Sequence, residues 1–326
     1  MRPVAPDRVG VILRSMIGTR CSLLLPLLSL LALPVQPLIA QQRAQTAPVS
    51  AAAPVLVSTS WLADHLRDEK VVVLHVGSEN TFAAAHIPGA RPMPPASFAV
   101  ARNGLSTEMP DSAAFVQLLQ AAGVANDSRI IIYSPAHPPT LAARLYVTLD
   151  RFGLGTQISL LDGGMRAWAA ENRAVSREVT AVRPATLTLR MRTDLLVDHA
   201  FVDSILSQPA AAILDARDAR FFTGEQQNTQ RAARAGRVPG AHNVVYSSLV
   251  GESGRMLSRD SLAALFTAAG ITAGKQVVTY CHVGQQASLA FVAARILGHE
   301  VRFYDGSYED WSKRAELRVE TGPPRV

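Results

Sequence analysis

Short apolar runs separated by amphipathic stretches form the main pattern of this chain. Several of these runs are continuous rather than alternating, and we predict strands at Val71–Val76, Arg129–Tyr133, Gln157–Leu161, Ala211–Asp215, Gln276–Tyr280 and Glu300–Tyr304. Segments with the apolar spacing of helices lie between them, as at Ser112–Ala122 and Ser261–Ala269. Continuous apolar strands suit a parallel sheet that is buried on both faces. The pattern therefore predicts an α/β fold with doubly wound, parallel sheets.

The pattern occurs twice, with the same order of motifs in each copy. His86-Ile-Pro-Gly-Ala90 corresponds to Arg237-Val-Pro-Gly-Ala241, and Leu161-Asp-Gly-Gly164 corresponds to Tyr304-Asp-Gly-Ser307. The spacing between copies increases between the first strand and the first of these motifs, which indicates an insertion at about residues 223–236 of the second copy. A repeat of this length predicts two whole domains rather than a solenoid of small units.

The beginning of the chain has the pattern of a secretory signal peptide, which we place at residues 1–40. Arg14 and Arg20 precede the apolar run Leu23–Leu33, and small and then polar residues follow it. We therefore expect a periplasmic or secreted protein with no stable membrane span after cleavage. An uncleaved N-terminal anchor is the alternative, and Met16 is a second candidate start.

The remaining boundaries follow from the repeat. We place a disordered linker at residues 41–54, the first domain at 55–175, an interdomain linker at 176–197 and the second domain at 198–320. Of the 326 residues, 48% are hydrophobic and 18% are charged, which is typical of a globular protein. The formal net charge is +6 and falls to +3 without residues 1–40. Because the chain has no basic run, we expect no nucleic-acid partner.

The cysteine content narrows the chemistry. The chain has two cysteines, Cys21 and Cys281, and signal cleavage would leave Cys281 alone. Exported proteins usually pair their cysteines in disulfides, but Cys281 would have no partner within the mature chain. A single cysteine of this kind is either a small buried hydrophobic residue or a reactive thiol, and the count leaves both open.

The sequence around Cys281 favours the reactive thiol. Cys281 directly follows the strand predicted to end at Tyr280, and the short segment His282-Val-Gly-Gln-Gln286 leads into a helix that begins near Ala287. Gly284 permits a tight turn, so successive backbone N–H groups can point inward and form an anion nest beside the helix N-terminus. We expect this nest to depress the pKa of Cys281 and make it a thiolate near neutrality.

With these motifs the chain resembles the tandem-domain rhodanese family over roughly residues 55–320. The motifs are Ala85-His-Ile-Pro-Gly-Ala90, Gly236-Arg-Val-Pro-Gly-Ala241, Leu161-Asp-Gly-Gly164, Tyr304-Asp-Gly-Ser-Tyr-Glu-Asp-Trp311 and Tyr280-Cys-His-Val-Gly284. The resemblance implies a sulfurtransferase without a cofactor. It implies that Cys281 takes a sulfane sulfur from a small donor, holds it as a persulfide and passes it to cyanide or a thiol in two displacement steps.

The first copy lacks the cysteine. Ser134 stands where the second copy has Cys281, and the prolines of Ser134-Pro-Ala-His-Pro-Pro139 remove N–H groups that a nest requires. His75 replaces the acidic Asp215 at the end of the matching strand. We therefore predict a catalytically inactive, structural first domain and one active site in the second.

Other candidate site residues follow from the family. Besides Cys281, the resemblance assigns donor binding to an arginine and to the loop residues after the cysteine, namely Arg217, His282, Val283, Gly284, Gln285 and Gln286. Asp215 is expected to order the loop through hydrogen bonds, and Arg220 is a weaker candidate for donor binding. The alternative for Arg217 is an ion pair at the surface or between the domains.

The donor remains open at this point. In mercaptopyruvate-using relatives a histidine at the position of His86 acts with a loop serine, but Val283 occupies the serine position, so we expect a structural His86. Basic residues that follow the cysteine in thiosulfate-using relatives are also missing, because His282 and Val283 stand there. Thiosulfate is the donor we predict, with 3-mercaptopyruvate as the alternative.

Other classes of protein fit less well. No pair of potential ligands has zinc-like spacing, so we expect no metal. Phosphatases that share the fold need a longer loop with an arginine, which the segment after Cys281 lacks. A non-enzymatic carrier that holds persulfide on Cys281 for a partner protein stays open. The pattern otherwise predicts small-molecule donors and acceptors as partners and indicates no particular oligomeric state.

Overall fold

The computed structural model describes residues 52–323, which form two α/β domains of similar topology. The strands of the first domain are β1 (Leu56–Val57), β2 (Val71–Val76), β3 (Arg91–Met93), β4 (Val100–Arg102), β5 (Leu105–Glu108), β6 (Arg129–Tyr133) and β7 (Ile158–Leu161). Its helices are α1 (Thr59–His65), α2 (Glu79–Ala84), α3 (Ser112–Ala121), α4 (Thr140–Leu149) and α5 (Gly164–Ala170).

The second domain repeats this order of elements. Its strands are β8 (Leu196–Val197), β9 (Ala211–Asp215), β10 (His242–Asn243), β11 (Gln276–Tyr280) and β12 (Val301–Tyr304). Its helices are α6 (His199–Ser204), α7 (Ala219–Thr223), α8 (Arg259–Ala268), α9 (Gln285–Leu297) and α10 (Ser307–Lys313).

Each domain has a five-stranded sheet in which all pairings are parallel. The strand order is β1-β7-β6-β2-β3 in the first sheet and, read in the same direction, β8-β12-β11-β9-β10 in the second. Each strand therefore has its counterpart at the same place in the other sheet. The predicted α/β fold with doubly wound, parallel sheets is confirmed, and β7 and β12 each begin one residue later than predicted.

The continuous apolar strands are explained by helices on both faces of each sheet. In β2, Val72 and Leu74 belong to the core formed with α3 and α4, whereas Val73 belongs to the core formed with α1, α2 and α5. In β9, Leu214 and Ile213 likewise belong to two different cores, one on each face of the sheet. Because neither face meets water, neither set of alternating positions needs to be polar.

Side-chain and glycine caps set the helix ends. Helix α8 begins two residues earlier than predicted because the Ser258 hydroxyl accepts the N–H of Ser261 at 3.2 Å and so caps it. Helix α9 ends where Gly298 adopts φ +88°, which closes the last turn.

The two domains share one hydrophobic core. Helix α4 of the first domain packs on α9 of the second, and both helices are apolar along nearly their whole length. Buried residues of both helices, including Leu145 and Phe291, belong to the same cluster. Since α9 starts in the loop that carries Cys281, the first domain packs against the helix that supports the cysteine.

Two equivalent hydrogen bonds also link the domains. The backbone N–H of Met109, just after β5, donates to the Asp305 carboxylate of the second domain at 2.9 Å. The backbone N–H of Met256 in the second domain donates to the Asp162 carboxylate of the first at 2.8 Å. Asp162 and Asp305 are matching positions of the repeat, so each domain grips the same aspartate of the other.

A hairpin of the first domain, made of β4 and β5, lies on the second domain. Ser106 donates its N–H and its hydroxyl to the Glu309 carboxylate, each at 2.8 Å. The hydroxyl of Thr107 donates to the carbonyl of Val283 in the Cys281 loop. Lys313 donates to the carbonyl of Gly104 at the hairpin turn at 2.7 Å. The hairpin is thus fastened both to the loop and to α10.

The segments at the predicted linkers contact the domains. Residues 177–192 have no helix or strand, and Ala185 donates its N–H to the Gln120 carbonyl at 2.9 Å while Leu187 is buried against α3. The predicted signal peptide and residues 41–51 lie outside the described residues. At the end of the segment expected to be a disordered linker, Ala53 instead donates its N–H to the Thr156 carbonyl at 2.9 Å.

Candidate active site

Cys281 lies at the carboxyl end of β11, in the loop that connects this strand to α9. Gly284 adopts φ +85° at the start of the helix, a conformation that favours glycine. This turn directs the backbone N–H groups of Val283, Gln286 and Ala287 at the Cys281 sulfur. The anion nest expected from the sequence is therefore present around the sulfur.

The acidity expected for Cys281 is not found. Its side chain has no solvent exposure, and burial raises the pKa of the thiol above its ordinary value. The three loop N–H groups oppose this shift, but they do not cancel it, and the negative charge of Asp215 adds to the rise in pKa. The prediction of a depressed pKa was wrong because it counted the nest and not the loss of water around the sulfur.

Helix α10 holds the backbone on the other side of Cys281. The Cys281 N–H donates to the hydroxyl of Ser307 at 3.3 Å, and the N–H of Tyr308 donates to the Cys281 carbonyl at 2.9 Å. The N–H of Glu309 donates to the His282 carbonyl at 3.0 Å. The first turn of α10 therefore satisfies the polar backbone atoms of Cys281 and its neighbour.

His282 is buried beside the cysteine. Its side chain packs edge-on against the Phe221 ring, with 4.7 Å between ring centroids, and its Nδ1 has no hydrogen-bond partner among the described residues. Burial first, and then the positive charge of Arg217, lower the pKa of His282 to about 4. The imidazole is therefore neutral at neutral pH, with a ring nitrogen free to meet a ligand.

Arg217 is held in an ion pair within its own domain. Its guanidinium is buried, donates to the Asp215 carboxylate at 2.5 Å and to the Gly236 carbonyl at 2.8 Å, and lies 4.2 Å from the centroid of the Tyr308 ring. Burial alone would lower its pKa, but Asp215 outweighs burial and raises it. The ion pair lies within the second domain and not at the surface or between the domains, and the role of Arg217 in donor binding stays a prediction.

The Asp215 Oδ1 accepts the backbone N–H of Arg217 at 3.0 Å as well as the guanidinium, so Asp215 orders the turn after β9. Arg220 lies at the surface and pairs with Asp218 at 3.3 Å. Among the described residues, Arg220 has no hydrogen bond or ion pair with the Cys281 loop.

His86 lies within the first domain, where it joins the segment after α5. Its Nδ1 lies 2.8 Å from the Phe82 carbonyl and its Nε2 lies 3.1 Å from the Glu178 carbonyl, and its ring stacks on Phe82. Arg237, the matching residue of the repeat, lies over Phe222 in the same manner. This placement gives His86 a structural part and keeps it out of the Cys281 site.

The remaining loop residues contact the first domain. The Val283 carbonyl accepts from Thr107, and the Gln285 amide donates to the Thr140 hydroxyl at 3.1 Å. Gln286 has a buried Oε1 with no hydrogen-bond partner among the described residues. The candidates His282 to Gln286 are thus together around the sulfur, on a loop held from both domains.

Arg231 is a charged residue near His282 that the sequence did not indicate. It lies in the insertion of the second copy, and its charge contributes to the lowered pKa of His282. No carboxylate pairs with Arg231 within residues 52–323. Arg234 fixes this segment by donating to carbonyls near the end of α10, including that of Arg314 at 2.7 Å. The insertion itself, visible in the repeat spacing, was the available signal.

The loop of the first domain is built differently. Ser134 is buried, and its hydroxyl accepts the N–H of Ala136 at 3.1 Å. Helix α4 then starts after Pro139, without a side-chain cap. A hydroxyl engaged by its own loop, with prolines in place of N–H donors, agrees with an inactive first domain.

Within residues 52–323, no helix combines the length and the hydropathy needed to cross a membrane. The same part of the chain contains no group of three or more His, Cys, Asp or Glu side chains arranged to hold a metal ion.

The family model for the rhodanese-like domain matches the chain twice, at residues 58–171 and 199–314. The chain therefore belongs to the rhodanese family, with two rhodanese-like domains in tandem, as the motifs predicted.

Three relatives of this chain have names that refer to the carriage or transfer of sulfur. A protein of Thermus thermophilus named sulfur carrier protein TtuD is 29% identical over 82% of this chain and 97% of its own length. A putative thiosulfate sulfurtransferase of Mycobacterium tuberculosis is 29% identical over 82% of this chain and 98% of its own length. A probable 3-mercaptopyruvate sulfurtransferase of Pseudomonas aeruginosa is 33% identical over 66% of this chain and 75% of its own length. Sulfur transfer is thus the general activity that the comparisons support.

Solved structures show the same fold at lower identity. The structure named YnjE has a TM-score of 0.74 at 23% identity and covers 82% of this chain and 68% of its own. An anaerobic ergothioneine biosynthesis enzyme from Chlorobium limicola, in complex with trimethyl histidine, has a TM-score of 0.73 at 22% identity, with 83% and 71% covered.

Proposed function

We propose that this chain is a sulfurtransferase that moves the sulfane sulfur of thiosulfate to cyanide or a thiol through a persulfide on Cys281. The observation that carries the proposal is the set of three N–H groups, from Val283, Gln286 and Ala287, directed at the Cys281 sulfur. Such donors stabilise negative charge on the sulfur, and the charge is present in both the thiolate and the persulfide.

The proposed reaction has two displacements. The Cys281 thiol loses its proton to water that enters the site with the donor, and the thiolate attacks the outer sulfur of thiosulfate, so that an S–S bond forms, the donor S–S bond breaks and sulfite leaves. Cyanide then attacks the outer sulfur of the persulfide, so that thiocyanate forms and the thiolate returns. No redox cofactor is needed, because the sulfite and thiolate leaving groups carry away the electron pairs of the broken bonds.

Neutral His282 and positively charged Arg231 suit the donor side of this reaction. A buried imidazole with a free nitrogen can donate or accept one hydrogen bond, and an arginine without a carboxylate partner among the described residues can attract an anion. Asp215 and Gly236 hold Nε and Nη2 of Arg217, and donor binding by its guanidinium stays a prediction.

Two further candidates have specific support. The relative named as a probable 3-mercaptopyruvate sulfurtransferase is 33% identical, which favours 3-mercaptopyruvate as the alternative donor. The relative named as a sulfur carrier matches over 97% of its length, which favours a carrier that hands persulfide sulfur to a partner protein. A carrier would load Cys281 but release the sulfur slowly to small acceptors.

The test is a parallel assay with thiosulfate and 3-mercaptopyruvate as donors and cyanide as acceptor. We expect turnover with thiosulfate, a gain of one sulfur on Cys281 in mass spectra, and no turnover for Cys281→Ser. Ser134→Ala is the matched control at the equivalent position and is expected to keep wild-type rates. Full activity in Cys281→Ser would sink the proposal, turnover with 3-mercaptopyruvate alone would change the donor, and loading without turnover would favour the carrier.

We also propose that the chain is exported and cleaved near residue 40, on the strength of the signal-like pattern of Arg14, Arg20 and Leu23–Leu33. Cell fractionation and mass spectrometry of the N-terminus test this. A full-length chain in the cytoplasm would contradict it, and a full-length chain in the membrane fraction would favour the uncleaved anchor.

A further inference from the structure

Arg144 is a charged side chain buried between the two domains. It lies in the middle of α4 in the first domain, and its side chain is 1% exposed. Its Nη1 donates to Oδ1 of Asp305 in the second domain at 2.5 Å, and its guanidinium lies 5.4 Å from the centroid of the Phe303 ring. The first domain, which lacks the cysteine, thus places a positive charge against the second domain, which carries Cys281.

The guanidinium packs against the glycine of the Cys281 loop. A Cβ atom placed on Gly284 would lie 2.8 Å from Nη1 of Arg144 and 3.2 Å from Cζ of Phe303. Gly284 is the turn that directs the N–H groups of Val283 and Gln286 at the sulfur. The turn that builds the nest therefore rests directly on Arg144.

Burying Arg144 is energetically expensive. Its Nε and Nη2 atoms are buried and have no hydrogen-bond partner among the described residues, Asp305 forms its ion pair, and the half-buried Glu108 lies close enough for the Arg144 charge to lower its pKa. Removing a charged group from water without full compensation costs several kcal/mol or more. The matching position of α9 holds Phe291, which is fully buried, so an apolar side chain fills this place in the other domain.

The need to hold the two domains together does not explain why a charged side chain is buried at this position. The matching aspartate of the first domain, Asp162, also has an arginine of the other domain nearby, since Arg255 lies 3.7 Å from its carboxylate and keeps 35% of its side chain exposed. That pair joins the same two domains at little desolvation cost. Arg144 differs from Arg255 in its complete burial and in its contact with the Cys281 loop.

We propose that Arg144 is a positioning residue for sulfur transfer, which fixes the Gly284 turn by direct packing and fixes Asp305 by an ion pair. The residues after Asp305 lead to Ser307, whose hydroxyl accepts the Cys281 N–H. Arg144 thereby fixes the Cys281 loop from both sides. The proposal rests on the proposed sulfur transfer at Cys281.

The test compares Arg144→Met with Arg255→Met in the whole protein. Methionine keeps most of the length of arginine and removes the charge and the hydrogen bonds. We expect Arg144→Met to lower kcat about 100-fold with little change in the donor KM, because a small displacement of reacting groups has effects of this size. Arg255→Met is expected to lower the unfolding midpoint and to leave kcat unchanged.

Arg144→Lys keeps the proposal testable if Arg144→Met does not fold. Lysine can keep the ion pair with Asp305 but cannot fill the planar space against Gly284, so we expect a smaller loss of kcat than in Arg144→Met. Wild-type kcat in either folded Arg144 variant would overturn the proposal, as would an equal loss in Arg255→Met.

The rate of alkylation of Cys281 by iodoacetamide separates this proposal from the proposed function. This rate needs no sulfur donor, and mass spectrometry assigns the modified cysteine. We expect its pH profile to change in Arg144→Met and to stay as in the wild type in Arg255→Met. If the wild type turns over no donor, the proposed function fails, and these profiles still decide whether Arg144 positions the loop.

Discussion

The backbone N–H of Cys281 donates to the hydroxyl of Ser307 at 3.3 Å, and Ser307 makes this contact from a left-handed backbone conformation with φ +53°. In the first domain the matching residue is Gly164, with the same φ of +53° next to Ser134. A backbone conformation that is unfavourable for serine is thus adopted by serine beside Cys281, whereas glycine adopts it beside Ser134.

Ser307→Gly is expected to reduce sulfur transfer without destabilising the protein. Glycine removes about 1 kcal/mol of backbone strain at this φ, and loss of the hydroxyl costs about as much for its hydrogen bonds. The free energy of unfolding should change by less than about 1 kcal/mol. Urea unfolding and kcat measure the two effects. A variant with wild-type kcat would show that the Ser307 hydroxyl does not hold the loop.

Gly284→Ala is expected to impair the active site through a steric clash. The new Cβ would meet Nη1 of Arg144 at 2.8 Å, in addition to about 1 kcal/mol for a non-glycine residue at positive φ. Gly274→Ala is the matched control, because Gly274 has φ +83° and a Cβ atom placed on it would meet no heavy atom within 4 Å. We expect Gly274→Ala to lose only the backbone cost and to keep wild-type kcat. Equal losses in both variants would contradict this.

Thr107→Val is expected to loosen the hairpin over the Cys281 loop. Valine has the shape of threonine but cannot donate to the Val283 carbonyl. A lost hydrogen bond of about 1 kcal/mol shifts an opening equilibrium about fivefold, so alkylation of Cys281 should accelerate by about that factor. Thr107→Ser retains the hydroxyl and should react like the wild type. An unchanged alkylation rate in Thr107→Val would show that the hairpin does not limit access.

Two buried histidines are expected to contribute a loss of stability as the pH drops from about 6.5 towards 4, which Glu108, with its pKa raised to about 7, partly offsets. Burial lowers the pKa of His75 and of His282 to about 4. Between this pH and about 6.5, the unfolded chain therefore binds more protons at these histidines than the folded chain does. The stabilisation is present above pH 6.5 and declines below it, by about 1 kcal/mol per histidine at pH 5.5. Urea unfolding at pH 7 and 5.5 measures the loss.

Replacing these two histidines should flatten this pH dependence. We expect His75→Gln and His282→Gln each to reduce the difference in unfolding free energy between the two pH values, and the exposed His137→Gln to leave it unchanged. A difference that persists in the double variant would assign the acid sensitivity to other groups.

Local sequence pattern was sufficient for the three central strands of each sheet, the repeat and the place of the cysteine, but it did not indicate the edge strands or the hairpin of β4 and β5. Val71–Val76 and Gln276–Tyr280 are strands with the predicted bounds, because continuous apolar runs between turns leave few alternatives. The Cys281 loop was also predictable, since Gly284 and the helix after it determine where the N–H groups point.

Contacts between distant residues were not predictable from pattern. Arg217 looked free to bind an anion, but the return of its side chain onto Asp215 and the stacking by Tyr308 depend on how α10 packs. Arg144 and Gly284 meet only because α4 packs on α9. The direction of the Cys281 pKa shift was predicted wrongly for the same reason, because the burial of its side chain is a property of the assembled fold.

The two equivalent hydrogen bonds between the domains, from Met109 to Asp305 and from Met256 to Asp162, have the form of an isologous contact. Two identical single-domain subunits related by a two-fold axis would make both bonds at once. Joining such subunits in one chain removes the need for the halves to stay alike. One half could then exchange its cysteine for Ser134 and adopt Arg144, while the other kept the chemistry. The protein thus corresponds to a two-fold dimer joined in one chain, in which the first domain contacts the active-site loop of the second.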